Sequence, residues 1–249
     1  MTSKLSNVHT LAVRCPNWVG DVVMATPIFA CLRQNLPNAR IVGMMKRSAR
    51  GILRDSPWFD AFVDANDKTW TGFRQMQSQI RRHRPDAAVL LTNSVRSALT
   101  MRLSGVRRIY GYRREGRDLL LTGGPAASPK STPVPMLEYY LEICRWLELD
   151  LPERPHPALF IGEELRRRGE SFLARYGIAE DDLLIGLNPG ASFGSSKCWP
   201  AEYFAELAEL CEERLGAKLM PFFGPGEEPI VDAIMERTKA DIVDTRGDM

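Results

Sequence analysis

Histidine is scarce, with three in 249 residues, and the five cysteines are odd in number, widely spaced and never arranged as C-x-x-C. Cys15, Cys31, Cys144, Cys198 and Cys211 therefore suggest neither a disulfide framework nor a zinc site and read as buried or incidental thiols. His9, His83 and His156 stand alone, which leaves almost no material for a histidine-based metal centre or a Ser-His-Asp triad. No apolar run approaches the roughly 18 residues of a spanning helix, and Met1 to Thr10 lacks the apolar stretch of a signal peptide. A cytoplasmic chain is expected. Two nucleotide-binding motifs are also missing, the G-x-x-x-x-G-K-[ST] loop and the G-x-G-x-x-G turn with an acid about 20 residues on. The second absence counts against a dinucleotide-dependent oxidoreductase.

What is present has the size of two α/β lobes, since 249 residues exceed the roughly 100–200 of a single domain. Charge is unevenly shared. Residues 1–157 carry 23 Lys+Arg against 13 Asp+Glu, net +10, and residues 158–249 carry 10 against 18, net −8. A basic first half suits a phosphorylated or membrane-surface partner. Nucleic acid is the rival partner, but no helix-turn-helix, zinc finger or RNA-binding aromatic signature accompanies the charge, so none is expected.

Leu11-Ala12-Val13 reads as a buried parallel strand, followed by the turn Pro16-Asn17-Trp18-Val19-Gly20 and a helix from about Asp21 to Gln34. Ile41 to Met45 and Ala87 to Leu91 are further strands, with a polar helix from about Phe73 to Arg84 between them. This alternation predicts a parallel sheet covered on both faces. Met136 to Leu149 has helical spacing, and the proline-rich Leu151–Pro157 places the domain boundary at 157/158. Glu163 to Tyr176 reads as a charged surface helix. The second half repeats the logic of the first. Strand 183–187 leads into the turn Asn188-Pro189-Gly190-Ala191 and a helix from about Pro200 to Leu215. Strand 218–223 leads into Gly224-Pro225-Gly226-Glu227-Glu228, a helix to about Thr238 and the apolar pair Ile242-Val243. These elements are too few for a doubly wound sheet of about five or six strands, so the second lobe is expected to be incomplete in a fragment of a longer protein.

Three places carry candidate chemistry. Asp21 falls where a strand gives way to a helix, the edge at which open α/β sheets place ligands, and a carboxylate there can take a proton from a hydroxyl; favouring the helix start explains it equally well. Gly20 permits close backbone approach at the same turn. The loop from Asn188 to Pro200 converges backbone N–H groups, the hydroxyls of Ser192 and Ser196, and the Lys197 ammonium, which suits a phosphate or diphosphate; a surface loop with an incidental lysine is the plain alternative. Glu227 or Glu228 could hydrogen-bond a ribose, or simply cap a Gly-Pro-Gly turn.

Together these segments resemble a known family. Asn17-Trp18-Val19-Gly20-Asp21-Val22-Val23-Met24 resembles the N-terminal signature of the lipopolysaccharide heptosyltransferases of type II, in glycosyltransferase family 9, and Lys197-Cys198-Trp199-Pro200 resembles their phosphate-loop signature. Agreement continues through Asn93–Ala98, Gly111–Arg117 with Leu119–Thr122, and Pro133-Val134-Pro135 leading into Tyr139-Tyr140. The resemblance implies a two-lobed glycosyltransferase fold (GT-B), 1–157 binding the acceptor and 158–249 the nucleotide sugar. It further implies ADP-heptose as donor, the lipid A-core oligosaccharide of lipopolysaccharide as acceptor, and a peripheral position on the cytoplasmic face of the inner membrane. It assigns Asp21 as catalytic base. Lys197, with Gly20, Gly190, Ser192, Ser196 and Glu227 or Glu228, falls on the donor side, and Ser94, Arg96, Arg113 and Arg117 are candidates for the phosphorylated acceptor. The family's Asp-x-Gly-x-x-His donor element has no counterpart in these residues. The implied reaction is a single inverting displacement without cofactor or metal; the chain has no Asp-x-Asp motif. Another sugar donor, or a non-catalytic nucleotide-sugar-binding protein on the same fold, stays open.

Overall fold

The computed structural model describes residues 3–66, 69–114, 116–127, 134–191 and 195–248. The chain divides into two compact units, Met1–Gly162 and Glu163–Met249. This division lies five residues beyond the expected boundary, because the segment after Pro157 packs onto the first unit. The Ala158 N–H donates to Thr26 Oγ1 at 3.0 Å, Phe160 sits edge-on to Trp58 at 5.1 Å, and the Gly162 N–H donates to Asp55 at 2.9 Å.

The first unit is built on five parallel strands, β1 (Thr10–Arg14), β2 (Arg40–Met45), β3 (Ala61–Asp64), β4 (Ala87–Leu90) and β5 (Arg108–Gly111), in the order β3-β2-β1-β4-β5. Every pairing is parallel, with Leu11 opposite Ile41 on one side and Ala87 on the other. Helices cover both faces, as near-continuous apolar strands require. One face carries α1 (Val19–Met24), α2 (Thr26–Asn35) and α6 (Met136–Trp146), whose Val22, Phe29, Leu32, Tyr140 and Ile143 join Leu11 and Val13 in one cluster. The short α3 (Arg47–Arg50) follows β2. The other face carries α4 (Trp70–His83) and α5 (Val95–Leu103), which bury Met76, Ile80, Ala98 and Met101 against Ala12, Val42, Ala88 and Leu90.

Local signals set the helix ends. Thr69 caps α4 by accepting from the Gly72 N–H, Arg84 ends it in the left-handed conformation and Pro85 prevents resumption. The single helix expected over 21–34 is two, broken at Ala25, since Pro27 in the first turn of α2 has no N–H to offer the preceding turn. Ser94 caps α5.

In the second unit α7 (Glu163–Arg175) precedes a parallel pair, β6 (Leu184–Leu187) and β7 (Lys218–Pro221). Leu187, Ala208, Leu219 and Ile234 form its core with α8 (Ala201–Leu215) and α9 (Glu228–Met235). Ile242 adds one parallel bridge to Leu219.

Candidate active site

In the first unit strand order reverses at β1, whose neighbours β2 and β4 continue in opposite directions. Crevices at such a switch point, beyond the carboxyl ends of the strands, are where open α/β sheets bind ligands. The turn after β1 and the turn after β4 flank this one, and they carry Gly20-Asp21 and Asn93-Ser94.

Asp21 lies in the first turn of α1, half-buried, and among the described residues no donor hydrogen-bonds its carboxylate. Its neighbour across the helix packing is Tyr140 of α6. Burial pushes the Tyr140 phenol well above its ordinary range, and the negative charge of Asp21 adds to the shift, so this ring stays neutral beside the carboxylate. Gly20 is exposed, and a Cβ there would meet nothing within 4 Å, so the space above the turn is open. The fold places no steric demand for glycine at this position. Trp18 projects beside it, with the Lys46 ammonium over its ring at 5.4 Å.

Arg14, which sequence reasoning passed over, holds this turn from below. It is 6% exposed and donates to the carbonyls of Cys15 and Met44 at 2.8 and 3.3 Å and to Asn17 Oδ1 at 3.0 Å. The available signal was a guanidinium closing an otherwise apolar strand.

The turn after β4 is tied down by aromatic groups. Asn93 Nδ2 donates to the Tyr139 hydroxyl at 2.8 Å, Tyr139 stacks on Tyr112 at 4.0 Å between centroids, and the Tyr112 hydroxyl donates to the Tyr139 carbonyl at 2.6 Å. Arg117, a candidate for the acceptor, is 0% exposed and donates to the carbonyls of Tyr112, Thr92 and Ser94 at 2.9, 2.5 and 3.5 Å, and to Asn93 Oδ1 at 3.4 Å. A guanidinium engaged with these carbonyls braces the 92–94 turn. Arg96, on the first turn of α5, and Arg113 after β5 are exposed at the carboxyl edge. The Ser94 hydroxyl accepts from the Ser97 N–H at 3.3 Å, so part of its capacity goes to capping.

In the second unit the two expected loops meet. Glu227 accepts from the Gly224 N–H at 2.8 Å, and its carboxyl group lies directly against Gly190, where a Cβ would come within 2.2 Å of Cδ. Gly190 is thus glycine to admit the Glu227 side chain. Glu228 instead points back to the Gly226 N–H at 2.8 Å, satisfying its own turn. Ser196 and Lys197 are exposed in a 3-10 turn just before Pro200, the N-cap of α8. Ser192 lies outside the described residues. Trp199 stacks on Tyr203 at 5.5 Å and meets Phe204 edge-on at 5.1 Å, which seats this loop on the helix.

The profile of glycosyltransferase family 9 (heptosyltransferase) matches residues 73–248. Lipopolysaccharide heptosyltransferase 2 of Escherichia coli (strain K12) is 27% identical over 201 residues, 78% of this chain and 58% of that protein. The chain thus spans little more than half the length of this curated relative. The solved structure of E. coli ADP-heptose lps heptosyltransferase II superposes with a TM-score of 0.75 at 27% identity, covering 91% of this chain and 68% of that one. A glycosyltransferase family 9 structure from Veillonella parvula superposes with a TM-score of 0.85 at 21% identity, covering 97% and 70%. That second likeness establishes shared fold.

Proposed function

The chain belongs to glycosyltransferase family 9, and from this premise we propose that it serves an inverting transfer of heptose from ADP-heptose to the inner core of lipopolysaccharide. The observation that carries the reading is Asp21, a carboxylate without an internal hydrogen-bond donor among the described residues, on an open turn at the sheet's switch point. It is supported by relatives whose names state heptosyltransferase activity. The first unit, with Arg96 and Arg113, takes the phosphorylated acceptor, and the second takes the donor.

In the proposed reaction Asp21 accepts the proton of an acceptor hydroxyl, whose oxygen attacks the anomeric carbon. The bond from that carbon to the diphosphate oxygen breaks on the opposite face, and its electron pair leaves with ADP. Lys197 and the N-terminal end of α8 stabilise the charge that collects on the diphosphate. Glu227, held against Gly190, is the candidate contact to the ribose of the nucleotide. No metal is required in this scheme. The acceptor's lipid anchor brings the enzyme to the inner membrane surface; among the described residues no helix is long and apolar enough to cross a membrane.

The test is ADP release from ADP-heptose with a heptose-primed lipid A core as acceptor, comparing this protein with Asp21→Ala. Loss of a proton-accepting group costs about 10²–10⁴ in rate with an unchanged melting temperature. Turnover by the variant within a few-fold of the parent would remove Asp21 as base. Absence of turnover with this donor but release from another nucleotide sugar would move the donor assignment.

A further inference from the structure

Residues 69–118 hold eleven arginines, no lysine and three acids, Asp86, Glu115 and Asp118. Asp86 is engaged by the N–H groups of His9 and Thr10, both at 2.8 Å. Arg74, Arg82, Arg84 and Arg107 are exposed, and among the described residues none is in an ion pair. Where α4 and α5 end, the Arg81 side chain reaches across to the Leu103 carbonyl at 2.6 Å, beside a cavity of about 560 Å³ lined by Arg81, Arg84 and Arg107.

The same face is apolar along its middle. Val95, Leu99 and Leu103 recur every four residues on α5, each 40% or more exposed although the opposite side of the helix is buried. Beside them the 3-10 turn Arg117–Leu120 offers Leu119 at 94% exposure and is fastened to α5 by Arg102 Nε donating to the Leu120 carbonyl at 2.9 Å. Trp70, 72% exposed, heads the neighbouring α4. An aliphatic stripe with an aromatic residue, rimmed by guanidinium groups that far outnumber the one exposed carboxylate described beside it, Asp118, has the make-up of a surface that settles into the headgroup boundary of an anionic bilayer.

We infer that the outer face of α4 and α5 docks on an anionic lipid surface, with Val95, Leu99, Leu103 and Leu119 entering the interface and the arginines meeting lipid phosphates. Charge complementarity selects this occupant, and the apolar stripe separates it from a nucleic acid, whose backbone offers arginines a partner but leucines none. The face begins at Ser94, beside the candidate site, so docking there holds the switch point near the bilayer. That purpose rests on the transferase reading, whose acceptor is lipid-anchored; the binding itself does not.

The experiment is flotation of this protein with vesicles of phosphatidylglycerol and phosphatidylethanolamine, against vesicles of phosphatidylcholine alone. We expect binding only to the anionic vesicles, weakened by added salt. Arg74→Glu/Arg82→Glu/Arg107→Glu should weaken it at least a hundredfold, at about fivefold or more per arginine. Leu99→Ser/Leu103→Ser should weaken it on the order of tenfold with an unchanged melting temperature, because both side chains are already exposed. No binding to anionic vesicles, equal binding to phosphatidylcholine, or indifference to either set of substitutions overturns the proposal. So does tight binding of a duplex oligonucleotide that displaces the vesicles and ignores the leucine changes. Asp21→Ala should float like the parent. Flotation without any sugar transfer would sink the transferase reading alone, and transfer to a detergent-dispersed acceptor without flotation would sink only the docking face.

Discussion

Replacing Arg117 by methionine separates two roles that sequence alone leaves equivalent. The side chain is fully buried, and its two shorter bonds, to the carbonyls of Thr92 and Tyr112 at 2.5 and 2.9 Å, are charge-assisted. Methionine fills a similar volume but donates nothing, so both carbonyls lose a charged partner. Hydrogen bonds to charged groups contribute about 1.5–3 kcal/mol each, and the relief of no longer burying a cation offsets part of that sum. The bonds at 3.4 and 3.5 Å add little. A net loss of about 3 kcal/mol remains, enough to lower the melting temperature of the first unit by roughly 6–12 °C. Scanning calorimetry and urea unfolding read this directly. Arg117→Lys should recover little, because a single ammonium cannot replace a planar fork that serves several acceptors at once. Unaltered stability of Arg117→Met, with weakened acceptor binding as its only defect, would refute the brace and restore Arg117 to the ligand side.

The Gly190 and Glu227 pair predicts a specific coupling: Gly190→Ala should cost about 1–2 kcal/mol of second-unit stability in the parent and close to nothing once Glu227→Ala has vacated the space. A double-mutant cycle by urea unfolding measures it, and additive costs would show that the carboxyl group does not rest on that glycine. Stability should also decline in alkali. Burial pushes the Cys15 thiol up to about 12 and the Tyr112 and Tyr140 phenols higher still, so the folded state holds protons that the unfolded chain releases from about pH 9 and 10 upward. The contribution is complete below those values and falls as pH rises through them; a stability that is flat between pH 8 and pH 11 would contradict the burial of these groups. Thiol labelling gives an independent check, since Cys15, Cys31 and Cys144 are buried and should react only after unfolding, behind Cys198 and Cys211.

Much of this molecule is legible from local pattern. The runs 11–13, 41–45 and 87–91 announced parallel strands because a strand covered on both faces must be apolar at consecutive positions, and β1, β2 and β4 are those strands. The end of α4 before Pro85 follows from chemistry that involves only neighbours in the chain, whereas its start at Thr69 lies four residues ahead of the Phe73 that the sequence pattern indicates. The turn bearing Asp21 and the Lys197 loop stood out for the same reason, as small, polar and charged residues gathered where a strand meets a helix.

Tertiary structure decided the rest. The edge strands β3 and β5 are short and carry a charged residue at one end, Asp64 and Arg108, so no apolar run stands clear, and they exist because a sheet offers them partners. Whether an arginine meets solvent or a cluster of carbonyls depends on residues over 20 positions away, which is why Arg96 and Arg117, alike in sequence, end on opposite sides of the surface. The strand order that makes the β1 and β4 turns neighbours, and the fit of Glu227 against Gly190, likewise arise only on packing. Sequence determined which residues could bind and react, because that follows from their chemistry. Which of them face outward was set by long-range contacts, since burial is a property of the packed whole.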